Sequence, residues 1–117
     1  MDRAEMESRT RCFALRVLKL CRALPRTPEA DVVRRQLARA GTSVGANYRA
    51  SGRARSRKEF LSKLGNVEEE TDESCYWLEL VIEDGMKKKE LVQPLLDEAQ
   101  ELLSIVVASR KRTRRSP

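Results

Sequence analysis

The stretch SRKEFLSKLGNVEEETDESCYWLELVIED, residues 56–84, decides the fold. Within it Phe60, Leu64, Val67, Thr71, Ser74, Leu78 and Val81 recur at alternating spacings of four and three, with Leu61, Cys75 and Ile82 flanking them. That period is the apolar row of a core-facing helix, not the alternation of a strand. Ser56 followed three residues later by Glu59 predicts a capping box at its start, and Asp84-Gly85 predicts its end. At about 1.5 Å per residue such a helix spans about 40 Å, which suits the central member of a long bundle.

One segment of this helix stands apart. Cys75-Tyr76-Trp77-Leu78-Glu79-Leu80-Val81-Ile82 is apolar on nearly every side, and a helix apolar all round needs cover all round. Either a thick local core supplies it, or a self-association surface built on Tyr76, Trp77 and Leu80 does; large aromatic and aliphatic anchors favour the second. The acidic run before it, Glu68-Glu69-Glu70 with Asp72 and Glu73, keeps the helical phase through Val67 and Thr71. It has no histidine to join it in a metal site.

Upstream, about Pro28 to Ser51 reads as a helix with Val33, Leu37, Ala40, Val44 and either Asn47 or Tyr48 inward. Thr27-Pro28 opens it, the proline sitting where its missing amide costs nothing. Gly41, Ser43, Gly45, Ala46 and Ala50 lower its intrinsic propensity, glycine by about 1 kcal/mol each relative to alanine. Close approach of another helix beside Gly41 to Ala46 would offset that cost, with Asn47 hydrogen-bonding inside the contact; a kink at Gly41 is the competing reading. Before it, about Ala4 to Leu24 forms a helix with Phe13, Val17, Leu20 and Leu24 inward, ended by Pro25. After residue 85, a loose turn through Lys87-Lys88-Lys89 leads to a helix whose regular part is expected from about Gln93 to Arg110, because Pro94 is tolerable only near its beginning. Val92, Leu95, Leu96, Ala99, Leu102, Leu103 and Val106 form its inward face.

These elements compose an all-α, up-and-down antiparallel four-helix bundle over residues 1–110, followed by a basic tail, 111–117, expected to be disordered. At 117 residues, with an aromatic fraction of only 4%, one domain packed through aliphatic side chains is the natural reading. No apolar run approaches the length of about 20 residues that a membrane span needs, and the N-terminus has no signal-peptide core, so a cytoplasmic protein without membrane contact is expected. Cys12, Cys21 and Cys75 have neither disulfide nor zinc spacing and read as buried thiols.

The net charge of +6 conceals a division. Residues 1–58 carry 15 Lys or Arg against 5 Asp or Glu, residues 59–109 carry 4 against 13, and residues 110–117 add five cations. Such halves can stabilise antiparallel neighbours within one subunit or join one subunit to the next. Arg35, Arg39, Arg49 and Arg53 form a roughly aligned row on the second helix, extended by Arg55, Arg57 and Lys58 and by Arg110, Lys111, Arg112, Arg114 and Arg115. Cations at the start of the third helix oppose its dipole, which an anion nearby would explain; a solvated turn or a salt-bridged contact is the alternative. As a set they suit phosphates rather than base edges.

The runs Gln36 to Ala50, Arg53 to Phe60 and Val67 to Glu83 resemble the four-helix-bundle proteins encoded within bacterial 23S rRNA intervening sequences, whose relatives include the accessory variability determinant of diversity-generating retroelements. The likeness covers about residues 28–86; Gly45 stands where many members have proline, and the Val-Trp pair of their first helix has no counterpart beyond Phe13. The resemblance implies a homopentameric barrel that binds nucleic acid, RNA or an RNA/DNA hybrid, with a reverse transcriptase as the kind of protein partner. The residues add that no nucleophile-base pair, glycine-rich phosphate loop or metal-ligand spacing is present, so neither catalysis nor a cofactor is expected. The alternative function is a protein-interaction scaffold without a nucleic-acid ligand.

Overall fold

The computed structural model describes residues 1–116. Four helices, α1 (Arg3–Ala23), α2 (Pro28–Ser51), α3 (Arg57–Glu83) and α4 (Lys89–Arg115), form a rod of 50 × 22 × 20 Å. Each packs on its neighbour in sequence: α1 on α2, α2 on α3 and α3 on α4. The ring is closed by a sparser seam between α1 and α4, with α1 and α3 lying diagonally. The pairing is antiparallel throughout, since Arg3 at the start of α1 reaches Ser51 at the end of α2 while Cys21 at the end of α1 meets Arg34 near the start of α2. Among the described residues no helix is long and apolar enough to cross a membrane.

Local chemistry fixes the helix ends. The hydroxyl of Thr27 accepts from the Ala30 amide at 3.2 Å with Pro28 behind it, and Ser56 Oγ accepts from the Glu59 amide at 3.0 Å. Both remove an orphan donor from a first turn. α3 ends in a Schellman turn: the Gly85 amide donates to the Ile82 carbonyl at 3.1 Å and the Met86 amide to that of Val81 at 3.0 Å. Gly85 sits at φ +71°, where an L side chain would be strained, and Met86 then packs on the core.

The predicted inward rows are the core. Phe13, Val17, Leu37, Val44, Leu64, Val67, Leu78, Val81, Leu102 and Val106 are all buried, each such side chain contributing about 1.5–3 kcal/mol relative to exposure. The small residues of α2 lie against α1. A Cβ at Gly41 would stand 2.8 Å from Val17 Cγ1, and one at Gly45 would stand 3.2 Å from Thr10 Oγ1. The close approach expected there exists and α2 runs through Gly41 unbroken. Asn47 does not serve it, donating instead to the Ser43 carbonyl of its own helix at 2.9 Å.

Two expectations for α4 are corrected. It begins at Lys89, not near Gln93, and so contains Pro94. The missing Pro94 amide orphans only the carbonyl of Glu90, a residue open to solvent that can satisfy it. It also continues through Lys111, Arg112 and Arg114 to Arg115, so the expected disordered tail is a helical turn. Cations in a last turn interact favourably with the negative end of the dipole, and Arg57 donates to the Thr113 carbonyl. Pro117 lies outside the described residues.

Cys21 and Cys75 are buried as expected, whereas Cys12 is exposed, one position off the Phe13 row. Burial pushes both inner thiols up, that of Cys75 to about 11. A thiolate-selective alkylating agent at neutral pH should therefore label Cys12 alone in the native protein, with Cys21 and Cys75 labelled only after denaturant is added. Mass spectrometry of native and unfolded samples checks this; rapid native labelling of Cys75 would contradict the packing.

Candidate nucleic-acid interface

The antiparallel order brings together two basic segments far apart in sequence. The α2–α3 turn, with Arg53 and Arg55, and the first turn of α3, with Arg57 and Lys58, lie at the same end of the rod as the last turns of α4. The Arg57–Thr113 hydrogen bond joins α3 to α4 at that end. Arg53, Arg55, Arg57, Lys58, Lys111, Arg112, Arg114 and Arg115 are all exposed. Apart from Arg57, whose guanidinium reaches Thr113, they make no side-chain hydrogen bond or ion pair among the described residues.

The rest of the predicted set divides. Arg39 faces α3, pairing with Glu70 at 3.1 Å and with Glu73. Arg110 pairs with Glu68 at 2.9 Å and lies flat over Gly65, where a Cβ would stand 3.3 Å from its Nη2. These two tie helices together. Arg49 lines the groove between α1 and α2 beside Arg11, and Arg35 is exposed towards the opposite end of α2. Arg53 lies beyond the end of α2. The predicted row is thus broken, and its cations gather mainly at one end.

Arginines that sequence reasoning did not single out hold the frame. Arg9 bridges α1 to α4 through Glu98 at 2.7 Å and Glu101 at 2.9 Å, contacts that raise its pKa further. Arg34 donates to the carbonyls of Cys21 at 3.0 Å, Leu24 at 2.9 Å and Pro25 at 2.7 Å, closing the end of α1. Arg3 covers the end of α2: it donates to the Tyr48 carbonyl at 3.3 Å and to Ser51 Oγ at 3.1 Å, with its guanidinium 4.6 Å from the Tyr48 ring centroid. Of the two readings of the charge division, pairing within one subunit is thus present in Arg9–Glu98 and Arg39–Glu73.

The aromatic pair lies on the other half of α3. Tyr76 is 53% exposed, its ring edge-on to Trp77 at 5.0 Å. Trp77 is half-buried against the core and donates its indole N–H to Glu73 Oε2 at 3.1 Å; Leu80 is also half-buried. The indole bond, followed by Arg39, lowers the Glu73 pKa. Sequence spacing could not reveal that Trp77 and Arg39 share one carboxylate.

Fold and site define a helical bundle with a cationic end. Residues 3–108 match the family described as 23S rRNA-intervening sequence protein, and the chain belongs to that family. It is also similar to a crystal structure of a protein of unknown function from the S23 ribosomal protein family of Bacteroides thetaiotaomicron VPI-5482, with 30% identity and a TM-score of 0.85 over 91% of this chain and 98% of that one. No functionally curated protein matches it.

Proposed function

We propose that this chain is a non-catalytic, self-associating bundle that binds nucleic acid through its phosphates. The observation that carries the reading is the convergence of the α2–α3 turn and the last turn of α4 into one cluster of exposed cations. Guanidinium and ammonium groups without carboxylate partners retain their attraction for phosphate and release counterions on binding. Family membership adds an RNA setting, since the family is described by its place in 23S rRNA. The assembly is a pentameric barrel, as the likeness to the accessory variability determinant implies, with Tyr76, Trp77 and Leu80 at the subunit contact. The same likeness makes a reverse transcriptase or another RNA-handling protein of the cytoplasm the partner it assists.

Light scattering coupled to size exclusion, at low and high salt and with a short structured RNA, tests this reading. An oligomer of about five subunits that takes up RNA only at low salt is the expected result. RNA uptake that does not change with salt, or none at any salt, overturns the phosphate-binding reading; a monomer overturns the assembly.

A further inference from the structure

We infer, resting on the phosphate-binding reading, that the basic end takes double-stranded nucleic acid by its two backbones and discriminates against single strands. Proteins that hold single strands combine cations with aromatic side chains on which bases stack, each stack being worth about 1–3 kcal/mol. This chain has one Trp, two Tyr and two Phe, and none offers a platform at the basic end. Phe13 is fully buried in the core. Tyr48 is half-buried, with the Arg3 guanidinium over its ring. Phe60 is half-buried in the inward row with Leu64. Tyr76, the exposed ring, is 19 residues along α3 from Arg57, a distance of about 28 Å.

The cations themselves come in two rows. One runs from Arg53 and Arg55 in the α2–α3 turn to Arg57 and Lys58 in the first turn of α3, the other from Lys111 through Arg115 in the last turns of the adjoining α4. Packed helices stand about 8–10 Å apart, comparable with the groove widths of about 6–12 Å that separate the two phosphate strands of B-form DNA. A single strand presents one backbone and meets one row. Its weaker counterion release, a salt slope of about 0.7 per phosphate against about 0.9 for a duplex, compounds the difference; for about six contacts in about 0.1 M salt it amounts to about tenfold.

Fluorescence anisotropy on the full chain tests this with a duplex of about 20 base pairs and an unstructured single strand of about 40 nucleotides, which carry similar numbers of phosphates. Duplex binding tighter by about tenfold or more, unchanged in Phe60→Leu, is the expected result. Phe60→Leu keeps an apolar side chain in the inward row while removing the ring. Equal or tighter binding of the single strand, or a loss of single-strand affinity in Phe60→Leu, overturns the inference and leaves phosphate binding standing. Failure of both ligands to bind at low salt overturns phosphate binding itself.

Discussion

A chain carrying Arg53→Glu, Arg55→Glu, Arg114→Glu and Arg115→Glu should bind duplex RNA about 10³-fold more weakly in about 0.1 M salt, with a salt slope shallower by about four units. Each of the four side chains is exposed and lacks an ion-pair partner among the described residues, so each phosphate contact is lost without a compensating internal change. Thermal stability should fall only modestly, because Arg53 and Arg55 lie in an exposed turn, while Arg114 and Arg115 give up a favourable interaction with the α4 dipole of about 0.3–1 kcal/mol each. Arg39→Ala is the informative contrast. It removes the partner of Glu70 and Glu73 between α2 and α3, while nucleic-acid affinity should change little. A loss of affinity per unit of charge removed that is as large for Arg39→Ala as for the fourfold variant would mean that total charge, not its gathering at one end, governs binding.

Gly41→Ala should destabilise the bundle by about 1–2 kcal/mol, even though alanine is the better helix former by about 1 kcal/mol. The new methyl would stand 2.8 Å and 2.9 Å from the two γ-carbons of Val17 and 3.1 Å from its Cβ. Val17 is fully buried and β-branched, so it has little freedom to turn aside. Gly45→Ala meets Thr10 Oγ1 at 3.2 Å and Thr10 Cβ at 3.4 Å, a milder approach that the propensity gain should nearly cancel. Melting temperatures measure the pair: a fall of several degrees for Gly41→Ala against little change for Gly45→Ala. Adding Val17→Ala to Gly41→Ala should recover part of the loss, because the new methyl then fills the space vacated. If Gly41→Ala raised the melting temperature, α1 and α2 would not meet at this distance.

Much of this architecture is legible in the sequence because local signals agree with tertiary demands. Thr27-Pro28 marks the start of α2, and the Leu64, Val67, Leu78 and Val81 row is the buried face of α3. The ends of α4 were harder to read. Pro94 looks like a barrier in isolation, but its cost depends on whether one carbonyl, that of Glu90, is open to solvent. Residues 111–115 show no apolar face, yet they continue an established helix whose dipole favours cations at that end. The cationic character of the candidate site is legible in composition, and the pairing of its individual residues is not. Arg39 and Arg110 resemble their exposed neighbours in sequence, and only folding brings them to Glu70 and Glu68, 31 and 42 residues away. Arg9 and Arg34 are likewise recognisable only by the groups they reach.

The unequal seams of the rod bear on how it forms and how it opens. Helices that pack on their neighbours in sequence give a low contact order, and topologies of this kind fold fast because little loop entropy is lost before contacts form. α1 is fastened along one full seam with α2 and, across the thinner one, by Arg9 to Glu98 and Glu101. Its release would leave α2, α3 and α4 still packed in series, so α1 can undock without unpacking the other three helices. Such an opening uncovers Val17, Gly41 and Val44 together and gives the chain a smooth apolar trough into which the first helix of another copy could settle.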